Sequence, residues 1–147
     1  MHNLLLFFHL AAAVFWMGGM AFMLLALRQP MAEQLQPPAR LQLLSAVLAR
    51  FFGVVAISIA VLLATGAALW LGAAGARPPG WHAMAVLGVA MMLVFGHIYF
   101  SPYRRLKLAV AAAAWPEGGK RAAQITWLAK INLGLGWLAI AAVILWR

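Results

Sequence analysis

The sequence predicts an all-α fold, an integral membrane four-helix bundle that forms a single domain over residues 1–147. The chain is 67% hydrophobic and 9% charged, with a mean hydropathy of +0.96, whereas an ordinary soluble domain is about half apolar and about a quarter charged. A domain of this size cannot bury so much apolar surface within itself. The apolar residues also fall into four runs, each close to the ~20 residues that a helix needs to cross a bilayer core.

The four runs define the predicted transmembrane spans, at residues 4–27, 51–74, 81–100 and 127–146. Tryptophan and tyrosine mark most of their ends, as expected of side chains that favour the membrane–water interface. Trp16 and Trp137 lie away from the predicted interfaces, so we expect both to pack inside the bundle.

The basic residues predict the orientation of the bundle. Segments 28–50 and 101–130 contain nine of the eleven Lys and Arg residues, and the remaining two are Arg77 and Arg147. Basic loops stay in the cytoplasm, so both chain ends are expected on the outer side of a bacterial-type inner (plasma) membrane.

The connections between spans are predicted to differ in length. Residues 28–50 are expected to form a long loop with an amphipathic helix over Arg40–Arg50 that leads into the second span. Residues 75–80 are expected to form a tight turn. Residues 101–126 are expected to hold a basic stretch, an alanine-rich helix and a break at Pro116–Gly119.

Several function classes are disfavoured by composition. The net charge of +9 lies in the connections, where membrane topology explains it, so no nucleic-acid partner is expected. The absence of cysteine excludes disulfides, thiolate metal sites and cysteine-anchored haem. The sequence shows no nucleophile–base pair, carboxylate dyad or phosphate loop, so hydrolytic enzymes are disfavoured.

His9 is the first candidate functional residue, because a polar side chain at membrane depth is costly and often functional. At 100° per residue, Trp16, Met20 and Met23 share its face of the first helix. This stripe is compatible with a metal or cofactor ligand. It is equally compatible with a packing face on which His9 forms a hydrogen bond with a neighbouring helix.

His82 and Met84 open the third span, at a depth similar to that of His9. Their position suggests a His/Met site between helices one and three near the outer face. His82 and Met84 point about 200° apart on a regular helix, so joint chelation needs an irregular helix start. The alternative is that His82 is an ordinary interfacial histidine.

His97 lies about 22 Å deeper than His82 along the third helix, so the two cannot share one small site. A second site at His97, joined to the first by Met91 and Met92, would form a transport path. The alternative is a histidine that extends to the interface beside Tyr99.

Three further polar residues, Ser58, Thr65 and Asn132, are expected to form hydrogen bonds between helices. Gly134 and Gly136 provide a small-residue surface for close packing, which is compatible with contacts inside the bundle or with a homodimer.

The motifs His9 to Gly19, Trp81-His82-Ala83-Met84, Gly96-His97 and Tyr103-Arg104-Arg105 resemble the bacterial copper-resistance protein D (CopD) membrane family. They are similar, more distantly, to HemJ-type protoporphyrinogen oxidases. The first resemblance implies copper movement or tolerance at the inner membrane. The second implies b-type haem, with His9 at the position of a first-helix histidine.

A lysine of the HemJ-type pattern falls near Met84, and methionine cannot supply a cation or a base. The resemblance therefore favours haem binding over porphyrinogen oxidation, since histidine and methionine are an accepted axial pair, and both remain alternatives.

Three functional hypotheses follow. The first is a copper-handling membrane protein whose metal ligands are drawn from His9, His82, Met84 and His97. The second is a b-type haem-binding membrane redox protein or a HemJ-like protoporphyrinogen oxidase, which would be a haem-dependent oxidoreductase. Its cofactor-binding residues would be His9, Trp16 and Met84, with His82 as the alternative to Met84. The third is a membrane assembly subunit without a ligand.

Overall fold

The protein is all-helical, and the computed structural model describes residues 1–73 and 75–146. Six α-helices follow one another along the chain: α1 (His2–Phe22), α2 (Arg28–Gln34), α3 (Pro37–Gly72), α4 (Pro79–Ile98), α5 (Arg104–Ala111) and α6 (Trp115–Leu145). Short π-helical segments, Met23–Leu27 and Tyr99–Tyr103, join α1 to α2 and α4 to α5 without interrupting the rod.

Four continuous helical rods are therefore long and apolar enough to cross a membrane, namely His2–Gln34, Pro37–Gly72, Pro79–Ala111 and Trp115–Leu145. This confirms the predicted four-helix membrane fold. Ala74, the last residue of the second predicted span, and Arg147 lie outside the described residues.

Each rod is longer than the predicted span that it overlaps, although the second and fourth spans were predicted to end one or two residues beyond their rods. The rods have 33, 36, 33 and 31 residues, so each measures roughly 50 Å against a bilayer core of about 30 Å. The additional turns hold most of the basic residues. We call the end of the bundle that contains them the basic end, and the opposite end, where Met1 and Trp146 lie, the terminal end.

The predicted long loop over residues 28–50 is wrong, because only Leu35 and Gln36 interrupt the helices there. Gln36 has an extended backbone (φ −64°, ψ 153°), as the residue before a proline prefers. Pro37 then occupies the first position of α3, where its missing N–H has no helical partner to lose. The predicted helical lead-in over Arg40–Arg50 is confirmed as part of α3.

The predicted break at Pro116–Gly119 is also wrong, because these residues form the first turn of α6. The chain reverses instead at Ala112–Ala114. The N–H of Ala114 donates to the carbonyl of Ala109 (2.8 Å), and the N–H of Ala113 donates to that of Val110 (3.2 Å). This is the Schellman pattern that ends a helix, with Ala113 in the left-handed position (φ 53°) that glycine usually occupies.

Both π-helical segments lie beside a proline. Pro102 lies inside Tyr99–Tyr103, and Pro30 follows Met23–Leu27 by three residues. Proline has no N–H and crowds the carbonyl of the preceding turn. A wider turn next to it keeps the helix continuous, and such π-bulges often lie near functional sites.

The helices pack as two close pairs, α1 with α3 and α4 with α6. Helix α6 also contacts α1 and α3, and the short helix α5 packs against α6 and α3 at the basic end. The larger core cluster lies at the basic end and consists of Leu41, Leu48, Phe52, Ile98, Tyr103, Leu106 and Ile125. The smaller one lies near mid-bundle and consists of Trp16, Met20, Val55 and Met91.

Large apolar side chains cover the outside of the bundle, among them Phe15, Leu71 and Leu93, as expected of a lipid-facing surface. Trp16 is 3% exposed, which confirms its predicted place inside the bundle. The same prediction for Trp137 is wrong, because its side chain is 62% exposed. Its neighbour Gly136 faces the core, and adjacent residues of a helix point about 100° apart.

The turn between α5 and α6 provides a test of the fold. We expect Ala113→Gly to stabilise the protein by about 1 kcal/mol, because glycine removes the steric cost of the left-handed conformation. The matched control is Ala112→Gly, at a residue with φ −89°, which should lower stability by about 0.5–1 kcal/mol. Thermal unfolding in detergent measures both. Equal effects of the two substitutions would contradict the assigned turn.

Candidate functional site

His9 is held against the second spanning helix by a hydrogen bond. Its Nδ1 atom lies 2.9 Å from Oγ1 of Thr65 on α3. The hydroxyl of Thr65 lies 2.6 Å from the carbonyl oxygen of Val61 and donates its single proton there. Thr65 can therefore only accept from His9, so the proton of the neutral imidazole is assigned to Nδ1.

With the proton on Nδ1, the lone pair of the neutral ring lies on Nε2. Gly66 provides the space for the ring, since a Cβ atom there would lie 3.3 Å from Cε1 of His9. Histidines that bind metals usually donate their second ring N–H to a nearby acceptor, which fixes the tautomer and the ring direction. The hydrogen bond to a neighbouring helix that a packing role predicts for His9 would therefore also orient its ring as a metal ligand. The ligand role stays a prediction.

His82 belongs to an aromatic and cationic cluster at the terminal end. Its ring meets the Trp70 ring edge to face, with centroids 4.9 Å apart and planes at 89°. The Arg77 guanidinium lies 4.8 Å from the same indole centroid and donates to the Trp70 carbonyl (Nη2 to O, 2.8 Å). His82 itself is exposed, so its ring is accessible from outside the bundle.

His9 and His82 both contact the last turns of α3, through Thr65 and Trp70. These two contact residues are five apart, so they lie about 7.5 Å apart along the helix and about 140° apart around it. The close helix pairs are α1 with α3 and α4 with α6, not α1 with α4. The structure thus brings each histidine to α3, and their joint ligation with the half-buried Met84 stays a prediction.

His97 lies in the last turn of α4, toward the basic end, and its side chain is exposed. No side-chain hydrogen bond holds it within the described part of the chain. The structure separates it from His9 and His82, as the spacing predicts, and its ligand role stays a prediction.

Asn132 is one of three buried polar residues of the described chain, with Ser58 and Thr65, that were expected only to form hydrogen bonds between helices. It is 1% exposed, and its Nδ2 atom makes a weak contact with Sδ of Met20 on α1 (3.9 Å). Its Oδ1 atom has no hydrogen-bond partner among the described residues. The sequence could have marked Asn132 as functional, because it is the only amide side chain within the apolar run of α6, at a depth where polar groups are costly.

A cavity of about 260 Å³ connects mid-bundle to the basic end. Trp16, Met20 and Asn132 line its inner end, and Arg28 and Arg40 lie at the basic end. Of the described residues that line it, none is histidine. Trp16 therefore lies at a cavity, as a cofactor-binding residue should, but His9 does not share that cavity.

Within residues 1–73 and 75–146, no group of three or more His, Cys, Asp or Glu side chains is arranged to hold a metal ion. The donors near the spans are thus single imidazoles, thioethers and one amide. Imidazole and thioether are ligands that suit monovalent copper.

The fold defines a multi-pass membrane protein, and comparison identifies its family. Residues 45–146 match the family of copper resistance protein D (CopD). This match covers more than half of the chain, so the protein belongs to the CopD family. His82, Met84 and His97 lie inside the matched region, and His9 lies before it. No curated protein and no solved structure matches the chain significantly.

The hydrogen bond between His9 and Thr65 can be tested by substitution at Thr65. We expect Thr65→Val, which keeps the size but removes the hydroxyl, to lower the free energy of unfolding by about 1 kcal/mol. Without the hydroxyl as acceptor, His9 should no longer favour the tautomer protonated on Nδ1. Thr65→Ser, the matched control, keeps the hydroxyl and should preserve both the stability and the Nδ1-protonated tautomer of His9. Histidine ¹⁵N chemical shifts report the tautomer. An unchanged tautomer in Thr65→Val would contradict the assigned bond.

Proposed function

We propose that this CopD-family protein moves copper through the membrane or confers copper tolerance there, with His9 as a ligand near the terminal end. The family is one of copper resistance. The observation that carries the site proposal is the orientation of His9, whose Nδ1 is bonded to Thr65 so that the lone pair lies on Nε2. A histidine fixed in this way loses little conformational freedom when it binds an ion.

His82, Met84 and His97 are proposed as further ligands along the path. The exposed ring of His82 lies at the terminal end, where an ion would enter or leave. His97 lies toward the opposite end of the same helix. Their separation supports successive binding of an ion at different depths rather than one chelate. Binding at several separate sites lets an ion leave each site as well as enter it.

Copper is preferred to haem on the arrangement of the donors. The haem hypothesis requires His9 and Trp16 at one macrocycle, so both residues should line one cavity. The cavity that reaches Trp16 is lined by no histidine among the described residues. Since no observation on this chain favours haem, no haem-dependent activity is proposed.

We also propose that the basic end faces the cytoplasm of a bacterial-type inner membrane. The support is the concentration of nine Lys and Arg residues in segments 28–50 and 101–130. Retention of positive charge on the cytoplasmic side sets the orientation of short-looped membrane proteins.

Copper handling is tested in cells that express the full chain. We expect expression to change both copper content and the copper concentration that stops growth, relative to cells with an empty vector. His9→Ala should abolish most of this change, because loss of a ligand or of its positioning partner weakens metal sites by about 10–100-fold. Elemental analysis of washed cells and growth curves measure the two effects.

The matched control is His2→Ala, which removes an exposed histidine from the same helix. Cells with this variant should have the same copper content, and the same copper concentration that stops growth, as cells with the unaltered chain. Equal expression of all variants is verified on membranes. If His9→Ala retains the full copper effect, His9 is not part of the path.

Orientation is testable because the chain has no cysteine. We expect Ala76→Cys, at an exposed position of the terminal end, to react with a membrane-impermeant maleimide in intact cells. Lys120→Cys, exposed at the basic end, should react only after the membrane is opened. The reverse labelling pattern would invert the proposed topology.

A further inference from the structure

We propose a second soft-metal site at mid-bundle, formed by the thioethers of Met17, Met20 and Met91 beside the amide of Asn132, with Cu(I) as its ion. The proposal rests on the proposed copper function and places a binding step between the two membrane faces. The four residues come from three helices, α1, α4 and α6.

The side chains converge on one face of α6. Asn132 and Gly136 are four residues apart, so they share that face. A Cβ atom at Gly136 would lie 2.9 Å from Sδ of Met17 and 3.2 Å from Cε of Met91. Met20 contacts the Asn132 amide (Sδ to Nδ2, 3.9 Å). Gly136 therefore provides the space in which the Met17 and Met91 side chains approach each other.

The site is buried and contains a polar atom without a hydrogen-bond partner among the described residues. Met20 and Met91 are buried, and Asn132 is 1% exposed. The Oδ1 atom of Asn132 has no hydrogen-bond partner among the described residues. Buried polar groups are rarely left unpaired, so this oxygen needs an explanation. The Nδ2 atom of the amide faces Sδ of Met20, so a half-turn of the amide about its Cβ–Cγ bond would present Oδ1, the negative end of its dipole, to a cation held by the thioethers.

Thioethers select the ion. They are neutral, soft donors that prefer Cu(I) to hard divalent cations, and a monovalent ion in a neutral site needs less compensation for burial than a divalent one. The adjoining cavity, which reaches from Asn132 to Arg28 and Arg40, gives the site an opening toward the basic end. The two arginines repel a cation at that end, so the thioether end is the favourable position.

The test uses the full chain in detergent, with its eight methionines labelled at the methyl carbon, and Ag(I) as a redox-stable probe for Cu(I). Addition of one equivalent should shift the methyl resonances of Met17, Met20 and Met91, assigned by single Met→Leu substitutions. Shifts confined to other methionines, or no methionine shift, overturn the proposal.

Affinity is measured by competition with a chromophoric Cu(I) chelator. The triple variant Met17→Leu, Met20→Leu, Met91→Leu preserves side-chain volume and should bind at least about tenfold more weakly. The matched control is Met31→Leu, at a buried methionine near the basic end, which should leave affinity unchanged. Equal affinity of the triple variant and the unaltered chain overturns the proposal.

Asn132→Leu separates a binding role from a structural one. Replacing an unpaired buried amide with an apolar side chain of similar size should leave thermal stability unchanged or raise it. Ag(I) affinity should fall at the same time. If stability falls and affinity is unchanged, Asn132 has a packing role and the proposal is overturned.

The outcomes also distinguish this site from the proposed function. Thioether binding in vitro without a copper effect in cells would remove the transport role and leave the site. A copper effect in cells without thioether shifts would overturn the site and leave the transport role.

Discussion

The dominant constraint on this protein is that lipid offers no hydrogen bonds, so each polar group within the spans must find a partner inside the bundle. The backbone meets this constraint with four unbroken helical rods, and π-helical turns beside Pro30 and Pro102 keep two of them continuous. The side chains meet it less completely. Thr65 is bonded to Val61 and His9, whereas Oδ1 of Asn132 has no hydrogen-bond partner in the part of the chain that the structure describes. The proposed chemistry is drawn from these few polar positions.

The two proposed sites differ in how the bundle prepares them. At the terminal end, the hydroxyl of Thr65 fixes the tautomer and direction of a single imidazole, and the ring remains partly accessible. At mid-bundle, thioethers and an amide meet in a buried space that glycine leaves open. The first arrangement suits capture of an ion near the interface, and the second suits its passage through the buried middle of the bundle. Both use neutral, soft donors, as expected for a chain with two carboxylates and no thiol.

The errors of sequence interpretation have a common physical origin. Prolines and glycines at 30–38 and 116–119 predicted loops, but proline at a helix start costs nothing, and Pro37 and Pro116 both lie in a first turn. The chain reverses instead at Ala112–Ala114, where no residue signals a turn. Trp137 was expected inside because it lies far from the interfaces, but it faces outward while Trp16 is buried. Depth in the membrane follows from position along the chain, whereas direction around the helix does not.

The sequence by itself determined the number, type and approximate depth of the spans, the side on which positive charge collects and the family resemblance, because hydropathy and charge are local properties of the chain. It also identified His9 as a polar residue that needs a partner. Only the tertiary structure decided that the partner is Thr65 rather than a group on the third spanning helix, and that Asn132 meets Met20. In a soluble protein the apolar face of a helix shows which side is buried. Here nearly every face is apolar and lipid tails resemble the core, so helix rotation and pairing are decided by close packing and by a few interhelical hydrogen bonds such as that between His9 and Thr65.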